Sequence, residues 1–194
     1  MRSSDPEQTR SWVAGVVRSG LLSTAQVYAE IRAVVAEDHP DLNADATATG
    51  WIREAEEAWC REAQTWPAHT DYDRLAAAFA GLEQAGIAVL QGCADHWAAK
   101  AALESASTPR GIAWFTPPDV WHAIDAGMLE VNLWHANTAN AAPGDGLLEE
   151  VLAAFAAHRL AAHFDEGRIE VSAHWQRRPG PGLEKARPTD QATL

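Results

Sequence analysis

The chain has 194 residues and a formal net charge of −12, with 15 Lys and Arg against 27 Asp and Glu. This length suits one domain, or one domain with a helical lobe attached, and it needs no disulfide or metal to fold. The acidic balance argues against nucleic acid and anionic membranes as partners, because both are bound through clustered Lys and Arg.

Three sequence features bear on location, and all favour the cytoplasm. The first ten residues lack the apolar core of a signal peptide, and no apolar run reaches the ~18 residues that span a bilayer. The two cysteines, Cys60 and Cys93, form neither a disulfide framework nor a zinc spacing. We therefore expect a protein of the reducing bacterial cytoplasm.

Capping patterns and apolar stripes predict four helices in the first part of the chain. Gly20 is expected to end the first helix and Gly86 the fourth, and the polar residues 38–48 are expected to form a loop. Three of the helices have predicted caps at their starts, namely Asp5-Pro6, the capping box Ser23 to Gln26, and the cap Thr70 to Asp73. The third helix is predicted from an apolar stripe that includes Trp51.

The second part of the chain alternates between strand and helix patterns. The predicted strands are 87–91, 111–115, 128–135, 161–165 and 168–175, and the predicted helices are 94–105, 117–126 and 147–160. We therefore expect an α+β fold, in which a helical N-terminal lobe packs on a small, mostly antiparallel sheet with helices. The expected division is a helical lobe over 1–65, an α+β core over 66–178 and a disordered tail over 179–194.

The last two strands form a predicted hairpin that turns at Glu166-Gly167. In that register Asp165 pairs with Arg168, and His163 pairs with Glu170. The last pair has the composition of a catalytic dyad, but cross-strand pairing on a solvated face explains it.

One stretch of the chain carries a specific residue pattern, and weaker matches follow it. The specific part is Trp66-Pro67, Thr70-Asp71, Asp73-Arg74-Leu75, Ala78-Phe79, Leu82 and Gly86-Ile87. The weaker part is Gly111, Phe115, Asp119, Arg168-Ile169-Glu170-Val171 and Trp175. Together they resemble the bacterial domain of unknown function family 6891 over most of residues 10–178. The resemblance implies a shared fold and brings no established activity with it.

The chain departs from that family at two places. Members carry a cysteine-rich segment after the Gly-Ile strand, where this chain keeps Cys93 with Asp95 and His96. They also carry a Phe-His-x-Gln-Asp run after the next strand, of which this chain retains Asp119 beyond the leading Phe115. If those family residues form a metal or redox site, the resemblance implies that this chain has lost it. The spacing of Cys93, Asp95 and His96 is not a recognised ligand spacing, so we expect no metal and no cofactor.

Tryptophan is unusually abundant, with nine Trp against four Phe and two Tyr. Alternation along the strand 128–135 sends Glu130, Asn132 and Trp134 to one side, away from its apolar core face. A ligand pocket between this strand and the helix 117–126 is the resulting hypothesis. Its expected substrate-binding residues are Trp114, Trp121, Asn132 and Trp134, and its expected catalytic residues are His122 and Glu130. The alternative is that these rings pack solidly and leave no cavity.

Two functions are consistent with these patterns. The first is a small-molecule-binding protein for an apolar organic molecule, and specifically a cofactor-independent enzyme for cyclisation, isomerisation or elimination. The second is a non-enzymatic acidic module, such as an immunity or adaptor protein, that its charge steers toward a basic partner. Whether two copies pair as a homodimer is left open by the sequence.

Overall fold

The computed structural model describes residues 5–107 and 109–180. Within them lie seven helices and a five-stranded mixed sheet, which confirms the α+β class. In chain order the elements are α1 (Pro6–Ser19), α2 (Thr24–Asp38), α3 (Ala44–Ala63), α4 (Asp71–Gln84), β1 (Ile87–Leu90), α5 (His96–Ser105), β2 (Gly111–Trp114), α6 (Pro117–Asp125), β3 (Met128–His135), α7 (Gly146–Ala157), β4 (Ala161–Asp165) and β5 (Arg168–Ser172). None of these described helices has the length and hydropathy of a bilayer-spanning segment.

The chain divides into two compact units. The helical unit consists of Met1–Trp66 together with Arg177–Leu194, and its described part holds α1, α2, α3 and the residues 177–180. The sheet unit is Pro67–Gln176 and holds the other four helices and all five strands. The disordered tail expected from residue 179 lies, from residue 181 onward, outside the described residues.

Local capping explains where the three helices of the helical unit begin and end. Asp5 caps α1 by accepting a 3.1 Å hydrogen bond from the backbone N of Glu7. Gly20 ends the helix with φ +60°, a left-handed conformation that glycine adopts without strain. α2 begins at the predicted capping box of Ser23 and Gln26.

The start of α3 differs from the sequence prediction of a loop over 38–48. Asn43 caps the helix, because its side-chain oxygen accepts a 2.9 Å hydrogen bond from the backbone N of Ala46. The helix therefore begins at Ala44, and the loop prediction is wrong over its last five residues. From there α3 packs on both α1 and α2. The buried apolar residues of this core are Val13, Val16, Val17, Val27, Ile31, Val35, Ala48, Trp51, Ala55, Trp59 and Ala63.

The sheet of the second unit has the strand order β1-β2-β3-β5-β4. β1 and β2 pair in parallel, joined by a crossover through α5, and the other three pairings are antiparallel. The main core contains the ring of Phe79 from α4, whose centroid lies 5.6 Å from that of Phe115 and 6.0 Å from that of Phe155. These three buried rings hold α4 and α7 to the region where β2 ends.

The predicted hairpin register is confirmed, with Asp165 opposite Arg168 and His163 opposite Glu170. β5 ends at Ser172 rather than at residue 175, because the chain leaves the ladder there. The backbone N of Trp175 instead donates a 3.1 Å hydrogen bond to the carbonyl oxygen of Ala123.

α7 also ends earlier than predicted, at Ala157 instead of residue 160. Arg159 has φ +60°, a left-handed conformation that cannot continue a right-handed helix.

Candidate functional site

The helical unit contains a cavity of about 430 Å³, which lies within the volume range of ligand-binding pockets. Its apolar wall is formed by Val17, Leu22, Val27, Ile52 and Trp59. Hydroxyl groups are supplied by Thr24, Tyr28 and Thr49, and charged groups by Arg53, Glu56, Arg177 and Arg178. The cavity therefore offers an apolar surface with charges at its wall.

Helix α3 contributes one continuous face to this cavity. Ile52, Glu56 and Trp59 are spaced by four and three residues, the spacing that aligns side chains along one side of a helix. Thr49 and Arg53 continue the same face toward solvent, where both side chains are exposed. The amphipathic stripe of α3 thus places a carboxylate between apolar groups.

Arg177 and Arg178 are held against the helices by hydrogen bonds that involve backbone carbonyl oxygens. Trp59 Nε1 donates a 2.8 Å hydrogen bond to the carbonyl oxygen of Arg177. The guanidinium of Arg177 donates to the carbonyl oxygen of Gly20, at the end of α1. Arg178 Nη1 donates a 3.0 Å hydrogen bond to the carbonyl oxygen of Ala63, at the end of α3. These bonds fix two positive charges at the cavity wall.

Glu56 is the half-buried acid of the cavity. Within the described residues its carboxylate has neither a hydrogen bond nor an ion pair. Burial raises the pKa of the Glu56 carboxyl, because desolvation disfavours its charged form. The side chain is thus more easily protonated than an exposed glutamate, and it can act as a hydrogen-bond donor or as a buried negative charge.

Tyr28 lines the cavity from α2 and is oriented by Asp45. Its hydroxyl donates a 2.7 Å hydrogen bond to Asp45 Oδ1, which also accepts from Arg32 Nε at 2.7 Å. The hydrogen bond from Arg32 and the one from Tyr28 lower the pKa of the Asp45 carboxyl. Asp45 therefore stays ionised and holds the phenol in one orientation.

The sheet unit brings together three of the residues predicted to bind substrate. The rings of Trp114 and Trp134 are in edge contact, with centroids 5.0 Å apart. Asn132 lies opposite Trp114 in the β2–β3 register, and its Nδ2 donates to the carbonyl oxygen of Trp114 at 3.5 Å. Trp114 and Trp134 also pack with Cys93 and with Leu103 of α5. These two indoles therefore pack in a small apolar cluster.

Two indole nitrogens in the sheet unit have no acceptor among the residues that the structure describes. They are the buried Nε1 atoms of Trp114 and Trp121. A buried N–H group without an acceptor costs about 1–3 kcal/mol, so an oxygen atom placed beside either nitrogen would be stabilising. These two buried N–H groups are the part of the predicted pocket that could bind an oxygen atom of a ligand.

The two predicted catalytic residues are not brought into contact. His122 is exposed on α6, and no hydrogen bond joins it to Glu130 in the described part of the chain. Glu130 lies on β3, where its carboxylate forms an ion pair with Arg168 of β5. The Glu130 carboxylate is therefore engaged in an ion pair between strands, and it does not contact His122.

Cys93, Asp95 and His96 have separate structural roles. Cys93 is buried, and burial raises the pKa of its thiol. Asp95 caps α5 by accepting a 2.9 Å hydrogen bond from the backbone N of Ala98. The ring of His96 lies 4.7 Å from that of Trp97. Over residues 5–107 and 109–180, no group of three or more His, Cys, Asp or Glu could hold a metal ion.

Sequence reasoning missed the cavity of the helical unit. One signal was available in the sequence, because Glu56 interrupts the apolar stripe that runs through Ile52 and Trp59. No local signal connects Arg177 to this stripe, because 118 residues separate it from Trp59.

Comparison with known proteins supports the resemblance described above. The family model for the domain of unknown function DUF6891 matches residues 3–179 of the 194. Comparison with curated proteins and with solved structures finds no significant match. Since the model covers most of the sequence, the chain belongs to the DUF6891 family.

Proposed function

We propose that this protein binds a small organic molecule in the cavity of its helical unit. The observation that carries the proposal is the cavity of about 430 Å³, in which apolar side chains and charged groups share one wall. Pockets for organic ligands combine these two features, because apolar contact supplies affinity and a few polar groups fix orientation.

The architecture of the wall supports binding in a defined orientation. Val17 and Val27 come from the buried stripes of α1 and α2, so the apolar side of the cavity continues a packed core. The guanidinium groups of Arg177 and Arg178 donate hydrogen bonds to the backbone oxygens of Gly20 and Ala63, so their charges occupy fixed positions. A site built on anchored groups loses less conformational entropy when a ligand binds.

Binding has more support than catalysis in this chain. The expected acid–base pair, His122 and Glu130, consists of an exposed imidazole and a carboxylate already paired with Arg168. A cofactor-independent cyclisation, isomerisation or elimination would need positioned proton donors and acceptors beside the substrate. In the cavity, Glu56 is the group that could take that role.

The alternative of a protein-binding adaptor or immunity module has one observation in its favour. The side chain of Trp97 on α5 is 64% exposed, and aromatic residues are frequent at protein interfaces. Apolar side chains exposed singly are nevertheless normal on protein surfaces. The cavity is therefore the better-supported site.

The test is ligand-observed NMR with a panel of neutral, anionic and cationic aromatic compounds of up to about fifteen heavy atoms. The cavity-blocking variant is Thr49→Trp, at an exposed residue of α3 that lines the cavity. The matched control is Ala58→Trp, which places the same side chain at an exposed position of α3 away from the cavity lining. We expect hits that bind the wild type and the control but not Thr49→Trp. A panel without hits, or hits that Thr49→Trp leaves unchanged, would refute the proposal.

A further inference from the structure

We propose that the ligand of this cavity is an organic acid, with an apolar body and a carboxylate or phosphate group that contacts the arginines. The inference rests on the proposed function, since it names the chemical class of the molecule that the cavity takes. It is carried by the charges at the cavity wall and by the position of Glu56.

The cavity wall has a sign of charge opposite to that of the whole chain. Among the described residues, its charged side chains are Arg53, Arg177, Arg178 and Glu56. Its three guanidinium groups outnumber the carboxylates of Glu56 and of Glu57, which lies 4.0 Å from Arg53 Nε, so the described part of this wall is positive in a chain with a net charge of −12. Because a cleft with low-dielectric walls focuses the field of its charges, this cavity attracts anions and repels organic cations.

Guanidinium groups suit an oxyanion in particular. Their planar N–H groups match the oxygens of a carboxylate or a phosphate and can bind them through paired hydrogen bonds. Arg177 and Arg178 follow one another in the chain and each is already anchored by a backbone contact. Their positions are thus set before a ligand arrives, which reduces the entropy lost on binding.

The apolar side chains of the cavity favour an organic ligand over a bare inorganic ion. Val17, Ile52 and Trp59 offer a surface that gains free energy only when a hydrocarbon or aromatic group covers it, by roughly 25 cal/mol per Å² buried. An organic acid satisfies both parts of the wall, because its body covers these side chains while its acidic group reaches the guanidinium groups.

Glu56 couples the binding of an acid to a proton. The titratable and charged groups that line the cavity with it are Arg53 on α3, Tyr28 on α2, and Arg177 and Arg178. An ionised Glu56 repels a ligand anion, whereas a protonated Glu56 can donate a hydrogen bond to it. Burial raises the pKa of the Glu56 carboxyl, so the group takes up a proton more easily than an exposed glutamate. An acid therefore binds with uptake of a proton, and its affinity falls as the pH rises through the pKa of Glu56.

The experiment compares four molecules that share one body: 4-phenylbutyrate, 4-phenylbutyl phosphate, 4-phenylbutylamine and 4-phenylbutanol. Isothermal titration calorimetry on the full chain gives each Kd at pH 5.5 and pH 7.5, and buffers of different ionisation enthalpy give the number of protons taken up. The test variants are Glu56→Gln and Arg53→Gln. The matched controls are Glu54→Gln and Arg61→Gln, which are exposed on the same helix and do not line the cavity.

We expect one or both acids to bind roughly tenfold or more tightly than the amine and the alcohol, as charge-assisted hydrogen bonds allow. The ratio of the two acids tells which oxyanion the arginines prefer. Arg53→Gln should weaken acid binding, whereas Glu56→Gln should strengthen it several-fold at pH 7.5 and remove the proton uptake. Both control variants should match the wild type.

The opposite order of ligand affinities, or the opposite effect of Glu56→Gln, would overturn the inference. If the amine binds best and Glu56→Gln weakens its binding, the cavity is a cation site. If the alcohol binds as well as the acids, the cavity binds small molecules without regard to charge, and only the proposed function survives. If none of the four binds and the broader panel also gives no hits, both proposals fail.

Discussion

The indole Nε1 of Trp59 donates a 2.8 Å hydrogen bond to the backbone oxygen of Arg177, 118 residues further along the chain. Trp59 is buried in the last part of α3, and Ala63, one turn later, accepts a hydrogen bond from Arg178. The last turns of α3 therefore hold the chain segment that brings two positive charges to the cavity.

Replacing Trp59 by Phe should remove that hydrogen bond while keeping an aromatic ring in the core. We expect the free energy of unfolding to fall by about 1–2 kcal/mol, because the hydrogen bond between Trp59 and the backbone oxygen of Arg177 is lost. Urea denaturation measures this loss. Trp97→Phe is the matched control, since Trp97 is 64% exposed, and it should change stability by less than about 0.5 kcal/mol. Equal effects of the two variants would contradict the anchoring role of Trp59.

Stability should depend on pH through Glu56 in a direction set by its raised pKa. The folded state holds the Glu56 proton more tightly than the unfolded chain, so this contribution to stability is fully present below the unfolded pKa of about 4.3. It is lost as the pH rises through the folded pKa. Glu56→Gln should therefore gain stability relative to the wild type between pH 4 and pH 7, as measured by urea denaturation at each pH.

Asp145 provides a control of opposite sign for that titration. The hydrogen bond from His135 is the largest cause that lowers the pKa of the Asp145 carboxyl, and the two side chains are 2.9 Å apart. Its stabilising contribution is present above the unfolded aspartate pKa of about 3.9 and is lost as the pH falls through the folded value. Asp145→Asn should thus lose most stability near neutral pH. Parallel pH profiles for the two variants would contradict both assignments.

Trp175, buried just after β5, and His163, exposed on β4, should differ strongly in their contributions to stability. Trp175, which follows β5 and is buried, contacts the rings of Tyr72 and Phe115. Trp175→Ala should cost about 3–5 kcal/mol, as deletions of large buried aromatic side chains do. His163→Ala, on the exposed side opposite Glu170, should cost less than about 0.5 kcal/mol. Thermal or urea unfolding that gave similar losses would be inconsistent with this packing.

Purified protein should contain no stoichiometric zinc or iron. The thiol of Cys93 is buried, Asp95 caps α5, and the ring of His96 contacts that of Trp97. The described residues hold no set of ligands that could bind a metal. Elemental analysis after purification without chelator checks this. Detection of one tightly bound metal per chain would contradict this prediction.

Helix starts were the most predictable part of the fold, because they depend on a few neighbouring residues. The caps at Asp5, Ser23 and Thr70 all lie where the sequence predicted them. The start of α3 was missed because Asn43 stands in a polar stretch that also suits a loop. The hairpin register was predictable for a similar reason, since Glu166-Gly167 fixes which residues face each other.

The candidate site was far less predictable, because its parts meet only in the folded chain. Alternation along β3 correctly placed Trp134 on one side of the sheet, but it could not show that α5 would cover that side. It also could not show that Arg168 would pair with Glu130. The cavity required Arg177 to return to α3, a long-range contact that no residue pattern along the chain records.

The helical unit is discontinuous in sequence, and this affects how the protein is made. Residues 67–176 are synthesised between α3 and the segment that begins at Arg177. On the ribosome, α1, α2 and α3 therefore emerge before the segment that supplies the acceptor for Trp59 Nε1. The sheet unit has its whole sequence available before the helical unit is complete. A chain released before residue 177 would have all the helices of the cavity wall and neither of its anchored charges.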